Sequence, residues 1–288
     1  MIQGLLEQIF DQHISSIETV SGGDINNAYC VKLDNKQVCF VKHNTYANGD
    51  DMLYTERISL EYLSAYSPFN IPSVLQCSSI NNDHFLVLDF ITEGHASKKD
   101  YFSFGQKLAM LHKTTQDNYG FFNDNYIGTL HQKNDLTTNW KDFYINNRLR
   151  YQLELAIESG ILSSEVLDNL DAIDRHWDTY IPEEKASLLH GDLWSGNYLV
   201  TKTGEITIID PAVYYGHREV DIAMTQIFGG FPQAFYDGYQ NTYPLEEGYE
   251  QRQCLYQLYP MLVHTNIFGG SYTTQTMQLL NTITTNWT

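Results

Sequence analysis

The chain has 288 residues, 42% of them hydrophobic, which is too long for one minimal core and sufficient for two lobes. Seventeen Lys plus Arg against 35 Asp plus Glu give a formal charge of −18, a field that repels polyanions and draws in small cations or amines, so nucleic acid is not an expected partner. Phosphates bound by such a chain need placed cations, most economically Mg²⁺ and one lysine, so any nucleotide site is expected to be built from carboxylates.

The opening MIQGLLEQIFDQH lacks a basic stretch, and no later window holds about 18 uncharged apolar residues, so no membrane segment and a cytoplasmic location are expected. AYCVKL (28–33) and VCFVK (38–42) alternate around a turn at Asp34-Asn35-Lys36 and read as strands, followed by an amphipathic helix over 51–66 and a short apolar strand, HFLVLDF (84–90). A polar connector, ITEGHAS, ends this β-rich region. It sets lobe boundaries at 1–91 and 98–288, with 92–97 as hinge. Helical spacing begins at Tyr101 and continues over 140–158, 163–178, 219–229, 232–241 and 249–268, where Pro260 is expected to kink or split the last helix. One small β element interrupts the helices: NYLV (197–200) and EITIID (205–210) flank Lys202-Thr203-Gly204, and a hairpin there brings Asn197 and Asp210 together at its open end. The class is α+β, with a small β-rich N-lobe and a larger, mainly helical C-lobe. Cys30, Cys39, Cys77 and Cys254 have neither zinc-site nor disulfide spacing and read as free thiols.

The chemistry concentrates in HGDLWSGN (190–197). Asp192 precedes Asn197 by five residues, the spacing by which a phosphotransferase loop sets a carboxylate beside the attacking hydroxyl and an amide oxygen on Mg²⁺; Asp210 is then the carboxylate that joins metal to phosphates. Lys42 closes an apolar strand and can reach α- and β-phosphates if a helix carboxylate, Glu56 or Glu61, holds it; a lysine on an edge strand is solvated as often as it is catalytic. Gly22-Gly23 before the first strand suits a loop folded over phosphates by its amides, and Asp89, Phe90 and Ile91 offer backbone groups to an adenine. His190, His217 and Arg218 read as structural. Asp221 either favours the dipole of its helix or holds the catalytic loop from below. Trp194 either stacks on a sugar or wedges the loop.

These residues resemble the fructosamine kinase (ketosamine-3-kinase) family, a branch of the protein-kinase-like fold related to aminoglycoside and choline kinases. The resemblance is carried by HGDLWSGN, IIDPAVYYGHREVDIAM and IFGGFP, and in the same order by SGGDINNAY, FVKHN, TERISLEYL, LAMLH, NWKDFYINNRL and LYQLYPMLVHTNIFGG. It implies a bilobal protein-kinase-like fold using ATP and Mg²⁺. It implies Lys42 on the α/β-phosphates with Glu56 as partner, Asp192 as base, Asn197 and Asp210 as metal ligands, and Asp221 supporting the loop. The implied reaction phosphorylates the sugar 3-hydroxyl of ketosamines, small or protein-bound, and leads to deglycation. His264 and Asn266 join Trp194 as expected substrate contacts. Asp24 departs from the pattern by placing an acid in the nucleotide loop, and Pro260 alters the region around His264. Two alternatives remain: a kinase of another hydroxylated amine, such as an aminoglycoside or choline, and a non-catalytic nucleotide-binding regulator.

Overall fold

The computed structural model describes residues 2–20 and 25–287. Gly22, Gly23 and Asp24, the expected phosphate loop, lie outside the described residues. In chain order the elements are α1 (Ile2–Phe10), β1 (Ile14–Val20), β2 (Asn27–Leu33), β3 (Val38–Asn44), α2 (Gly49–Tyr66), β4 (Val74–Ile80), β5 (Asp83–Asp89) and α3 (Lys98–His112). Then follow β6 (Thr115–Gln116), β7 (Asn125–Ile127), β8 (Leu130–Gln132), α4 (Trp140–Phe143), a π-helical turn (Tyr144–Arg150), α5 (Tyr151–Glu158), α6 (Val166–Tyr180) and β9 (Ala186–Leu189). The chain finishes with β10 (Tyr198–Val200), β11 (Ile206–Ile208), β12 (Tyr214–Gly216), α7 (Glu219–Thr225), α8 (Gln233–Thr242), α9 (Tyr249–Phe268) and α10 (Ser271–Asn286).

Two compact units result: Met1–Asp100 with Gly196–Pro211, and Tyr101–Ser195 with Ala212–Thr288. The first is built on an antiparallel sheet in the order β1-β2-β3-β5-β4. Period-2 alternation sends Phe85 and Val87 of β5 to one face, with Val41 and Leu6 of α1, and sends Leu86 and Leu88 to the other, with Leu53 and Leu60 of α2. Both faces are covered, which is why residues 85–88 of HFLVLDF are all apolar. Each such side chain, fully buried, contributes about 1.5–3 kcal/mol.

The hairpin β10–β11 belongs with this sheet unit, although its place in the sequence put it within 98–288. Side-chain and backbone ties explain the grouping. Gly94 N donates to Val200 O at 2.8 Å, Asn70 Nδ2 donates to Glu205 Oε2 at 2.8 Å, and Thr207 Oγ1 donates to Asn70 O.

In the second unit, β12, β9 and β6 form a small sheet among the helices. Three expectations need correction. Lys42 does not close an edge strand: β3 runs on to Asn44 and pairs with β2 on one side and β5 on the other. Pro260 does not split its helix: α9 is continuous from Tyr249 to Phe268 and buried from Leu258 to Val263. The helix expected over 219–229 stops at Thr225, before Phe228 (φ 55°), Gly229 (φ 97°) and Gly230 (φ 72°) turn left-handed.

Candidate active site

In the first unit the site is built around Lys42. Cys39 and Val41 face the α1 side of the sheet, so Phe40 and Lys42 face α2. On α2, Glu56 lies between Leu53 and Leu60 on the stripe that faces the sheet, and its Oε1 meets Lys42 Nζ at 2.6 Å. Glu61 faces elsewhere and pairs with Arg57 at 2.9 Å. Asp210 Oδ1 reaches the same ammonium at 2.8 Å. Lys42 is 6% exposed and sits between two carboxylates.

The electrostatics follow from that count. Burial works against the ammonium, but Asp210 and Glu56 hold the Lys42 pKa well above its ordinary value. Burial, aided by the Asp210 charge, pushes the Glu56 carboxyl up despite Lys42. Asp210 stands on left-handed backbone at φ 55°, uncommon for a residue with a side chain and characteristic of functional sites.

The β10–β11 hairpin brings Asn197 beside Ile209, the residue before Asp210, with Ile209 N donating to Asn197 O at 3.0 Å. Asn197 is buried, whereas the Asp210 side chain is 41% exposed. An amide oxygen and a carboxylate are the hard donors Mg²⁺ prefers, and Mg²⁺ on a nucleotide needs only one or two protein carboxylates because phosphates and water complete its shell. The pair therefore fits Mg²⁺. Among the described residues no group of three or more His, Cys, Asp or Glu could hold a metal without such a ligand.

Asp89 ends β5, and its backbone N–H donates to Ser73 O at 3.1 Å. Of the expected adenine contacts, Phe90 and Ile91 therefore lie beyond the paired part of the strand.

The second unit carries Asp192. Its loop rests on Asp221, which is fully buried and accepts from His190 N at 2.8 Å and Gly191 N at 2.9 Å. His112 Nε2 lies 3.1 Å from the same carboxylate, and its Nδ1 is bonded to the Tyr239 hydroxyl at 2.8 Å. Burial alone would raise the Asp221 pKa, but His112, the charge of His190 and the Gly191 amide together hold it below the ordinary value. Of the two roles expected for Asp221, the hydrogen bonds are those of a loop support. Asp192 N in turn donates to His190 Nδ1 at 3.2 Å, so the buried His190 ring fixes the backbone at Asp192.

Gly191 has φ 84°, and a Cβ there would overlap the Ala212 carbonyl oxygen, so this position requires glycine.

Trp194 packs edge-on against Phe228 (ring centroids 5.7 Å) and lies on a cluster with Met224, Ile227 and Met261. Phe228 also touches the ring of His264 at 4.8 Å, and His264 Nδ1 is bonded to Pro260 O at 2.8 Å. Trp194 and His264 thus share one aromatic group. Asn266 does not join it: its Nδ2 donates to Gln152 O and Oε1 at 2.9 and 2.7 Å and ties α9 to α5.

His217 and Arg218 are buried. Arg218 donates to both Glu184 oxygens at 3.0 Å and to the Tyr243 and Pro244 carbonyls, and Glu219 beside it pairs with Arg252 at 2.6 Å. Sequence reasoning missed His112 and Tyr239 behind Asp221. The only sequence signal was a histidine closing the apolar stripe of LAMLH.

A β-rich sheet unit that carries a lysine–glutamate pair and a helical unit that carries a His-Gly-Asp loop define a protein-kinase-like phosphotransferase fold. The fold is also that of an ADP-bound aminoglycoside phosphotransferase, with TM-score 0.68 over 99% of this chain and 98% of that one at 15% identity. The fructosamine kinase family profile matches residues 1–286, and the chain belongs to that family. A Synechocystis protein named a probable ketoamine kinase is 40% identical over 93% of this chain and 90% of its own length. A rice (Oryza sativa subsp. japonica) protein-ribulosamine 3-kinase, chloroplastic, is 35% identical over 93% and 78%. A Haemophilus somnus crystal structure assigned as a fructosamine-3-kinase superposes with TM-score 0.87 at 31% identity, covering 98% of this chain and 96% of that one.

Proposed function

We propose that this protein is an ATP-dependent kinase that phosphorylates the sugar 3-hydroxyl of ketosamines, giving a 3-phosphate whose breakdown releases the free amine. The observation that carries this reading is the buried Lys42 bridging Glu56 and Asp210, in a chain that matches the family almost end to end. A lysine so placed is a fixed cation for the α- and β-phosphates. Mg²⁺, held by Asn197 and Asp210, would neutralise charge on the phosphates. Asp192 orients the sugar hydroxyl and accepts its proton late, since phosphoryl transfer through a loose transition state asks for positioning before it asks for a strong base. Asp221 and His190 keep the backbone at Asp192 in place. Phe90 and Ile91 offer backbone groups to the adenine, Gly22 and Gly23 belong to the phosphate loop, and Trp194 with His264 lines the sugar side.

The names of the relatives support ketosamines as the substrate class, and the formal charge of −18 suits a substrate bearing an ammonium. No helix among the described residues is long and apolar enough to cross a membrane, and the four cysteines are free thiols, which supports a reducing cytoplasm as the working location. The test is ADP release by the purified protein with Mg-ATP on fructosyl- and ribulosyl-amines, an aminoglycoside and choline. Turnover on either ketosamine is expected. Turnover only on the other two would replace the substrate class, and none on any would favour a regulator.

A further inference from the structure

The segment NWKDFYINNRL contributes nothing to the chemistry described so far, yet its arginine is among the largest fully buried side chains of the protein. Arg148 stands in the π-helical turn Tyr144–Arg150, a geometry that recurs at functional sites. The other two buried arginines of this unit are neutralised by carboxylates, Arg218 by Glu184 and Arg252 by Glu219. Arg148 has no carboxylate partner among the described residues. Its guanidinium lies over the rings of Phe143, Tyr214 and Tyr259 at 4.6, 4.2 and 5.5 Å, and donates to neutral oxygens, among them the carbonyls of Lys133 and Asn147 and Asn134 Oδ1 at 2.7 Å. If the need were only to fill the space, an apolar side chain would do so at lower desolvation cost.

A directed chain of hydrogen bonds starts from this cation. Asn134 Nδ2 donates to Asn125 Oδ1 at 3.2 Å, and Asn125 Nδ2 donates to Val213 O at 2.8 Å. Tyr259 Oη donates to Gln132 Oε1 at 2.7 Å, and Gln132 Nε2 donates to Asn125 Oδ1 at 2.8 Å and to Ala212 O at 3.3 Å. The carbonyl ends fix each amide's orientation. The path from Arg148 through Asn134 and Asn125 donates away from the charge at every link, so the cation polarises each donor in the same sense.

The chain ends on the carbonyls of Ala212 and Val213, and this segment is the wall behind the Asp192 loop. Ala212 N donates to His190 O at 2.9 Å, Tyr214 pairs with Leu189, and Gly191 faces both the Ala212 carbonyl and the Tyr214 ring. Asp221 grips the loop through its amides, while the 212–214 wall closes it on another side.

We propose that Arg148, acting through Asn134, Asn125 and Gln132, is a positioning residue that fixes the Ala212–Tyr214 wall and thereby sets the Asp192 loop. The inference rests on Asp192 being the base, so its test includes a readout that needs no substrate. Arg148→Lys, Asn125→Leu and, as a control of matched thermal stability, Leu280→Ala on α10 are compared by amide hydrogen exchange and by kinetics. Exchange at His190 and Gly191 should accelerate about tenfold or more in the first two variants relative to the control. Their kcat should fall at least about tenfold with the sugar and nucleotide KM within about twofold. If Arg148→Lys does not fold, Gln132→Met carries the test, since it keeps the cation and removes the donor to Ala212. Exchange no faster than in the control, or kcat unchanged in a variant whose loop has loosened, overturns the proposal. A wild-type protein that phosphorylates no ketosamine would defeat the functional reading instead, and loop exchange alone would then decide this one.

Discussion

Two carboxylates that serve the proposed chemistry, Asp210 and Asp221, are held in opposite ways. Asp210, in the sheet unit, is 41% exposed and shares one ammonium with Glu56, so two negative charges compete for Lys42 and the cluster carries excess charge that a metal ion can take up. Asp221, in the helical unit, is fully buried and satisfied by two backbone amides and His112. The first arrangement is open to exchange with a ligand. The second is closed before any ligand arrives, which is what a loop presenting a catalytic group requires.

Four substitutions separate these behaviours. Asp192→Ala should have the largest effect, a fall in kcat of about 10²–10⁴ with Mg-nucleotide affinity by calorimetry within about twofold of wild type. Asp221→Asn should come next, because it turns a carboxylate that accepts two loop amides into a group with one acceptor; a loss of about 3 kcal/mol in unfolding free energy is expected, together with lower kcat. Its pH signature has a definite sign. A carboxyl held below its ordinary value of 3.8 contributes stability at higher pH, and that stability is lost as pH falls through its lowered native value. The Asn variant should therefore show a flatter acid limb in thermal unfolding; an unchanged limb would remove Asp221 from the account.

Asp210→Ala should weaken Mg-nucleotide binding by about tenfold. Equal loss of affinity in Asp192→Ala and Asp210→Ala would erase the division of roles. Glu56→Gln should be the mildest: nucleotide affinity falls about threefold, because Lys42 keeps Asp210, while the melting temperature holds or rises, because burial already disfavours the Glu56 charge. A large drop in melting temperature would show that the Lys42–Glu56 pair is needed for folding.

Much of the sheet unit was legible. AYCVKL and VCFVK carried their strand alternation, HFLVLDF carried the apolar run of a strand buried on both faces, and the turn at Gly204 fixed the hairpin that brings Asn197 beside Ile209, next to Asp210. The choice between Glu56 and Glu61 was also latent in the sequence, since only Glu56 falls on the Leu53–Leu60 stripe. Other elements gave weaker signals. Helix α10, rich in threonine, has low helix propensity and was not anticipated, and strands as short as β9 and β12 cannot be told from loops by period.

The sequence by itself determined the family and the α+β class, and it supplied the residues proposed to move a phosphate, because these depend on local spacing: five positions from Asp192 to Asn197, and one hairpin from there to Asp210. Only the tertiary structure decided what holds them. Asp221 as a loop support, Asn266 as a tie to Gln152, and Arg148 set among aromatic rings with no carboxylate partner among the described residues follow from contacts between segments far apart in the chain, and no local pattern encodes which buried charge meets an anion and which meets an aromatic face.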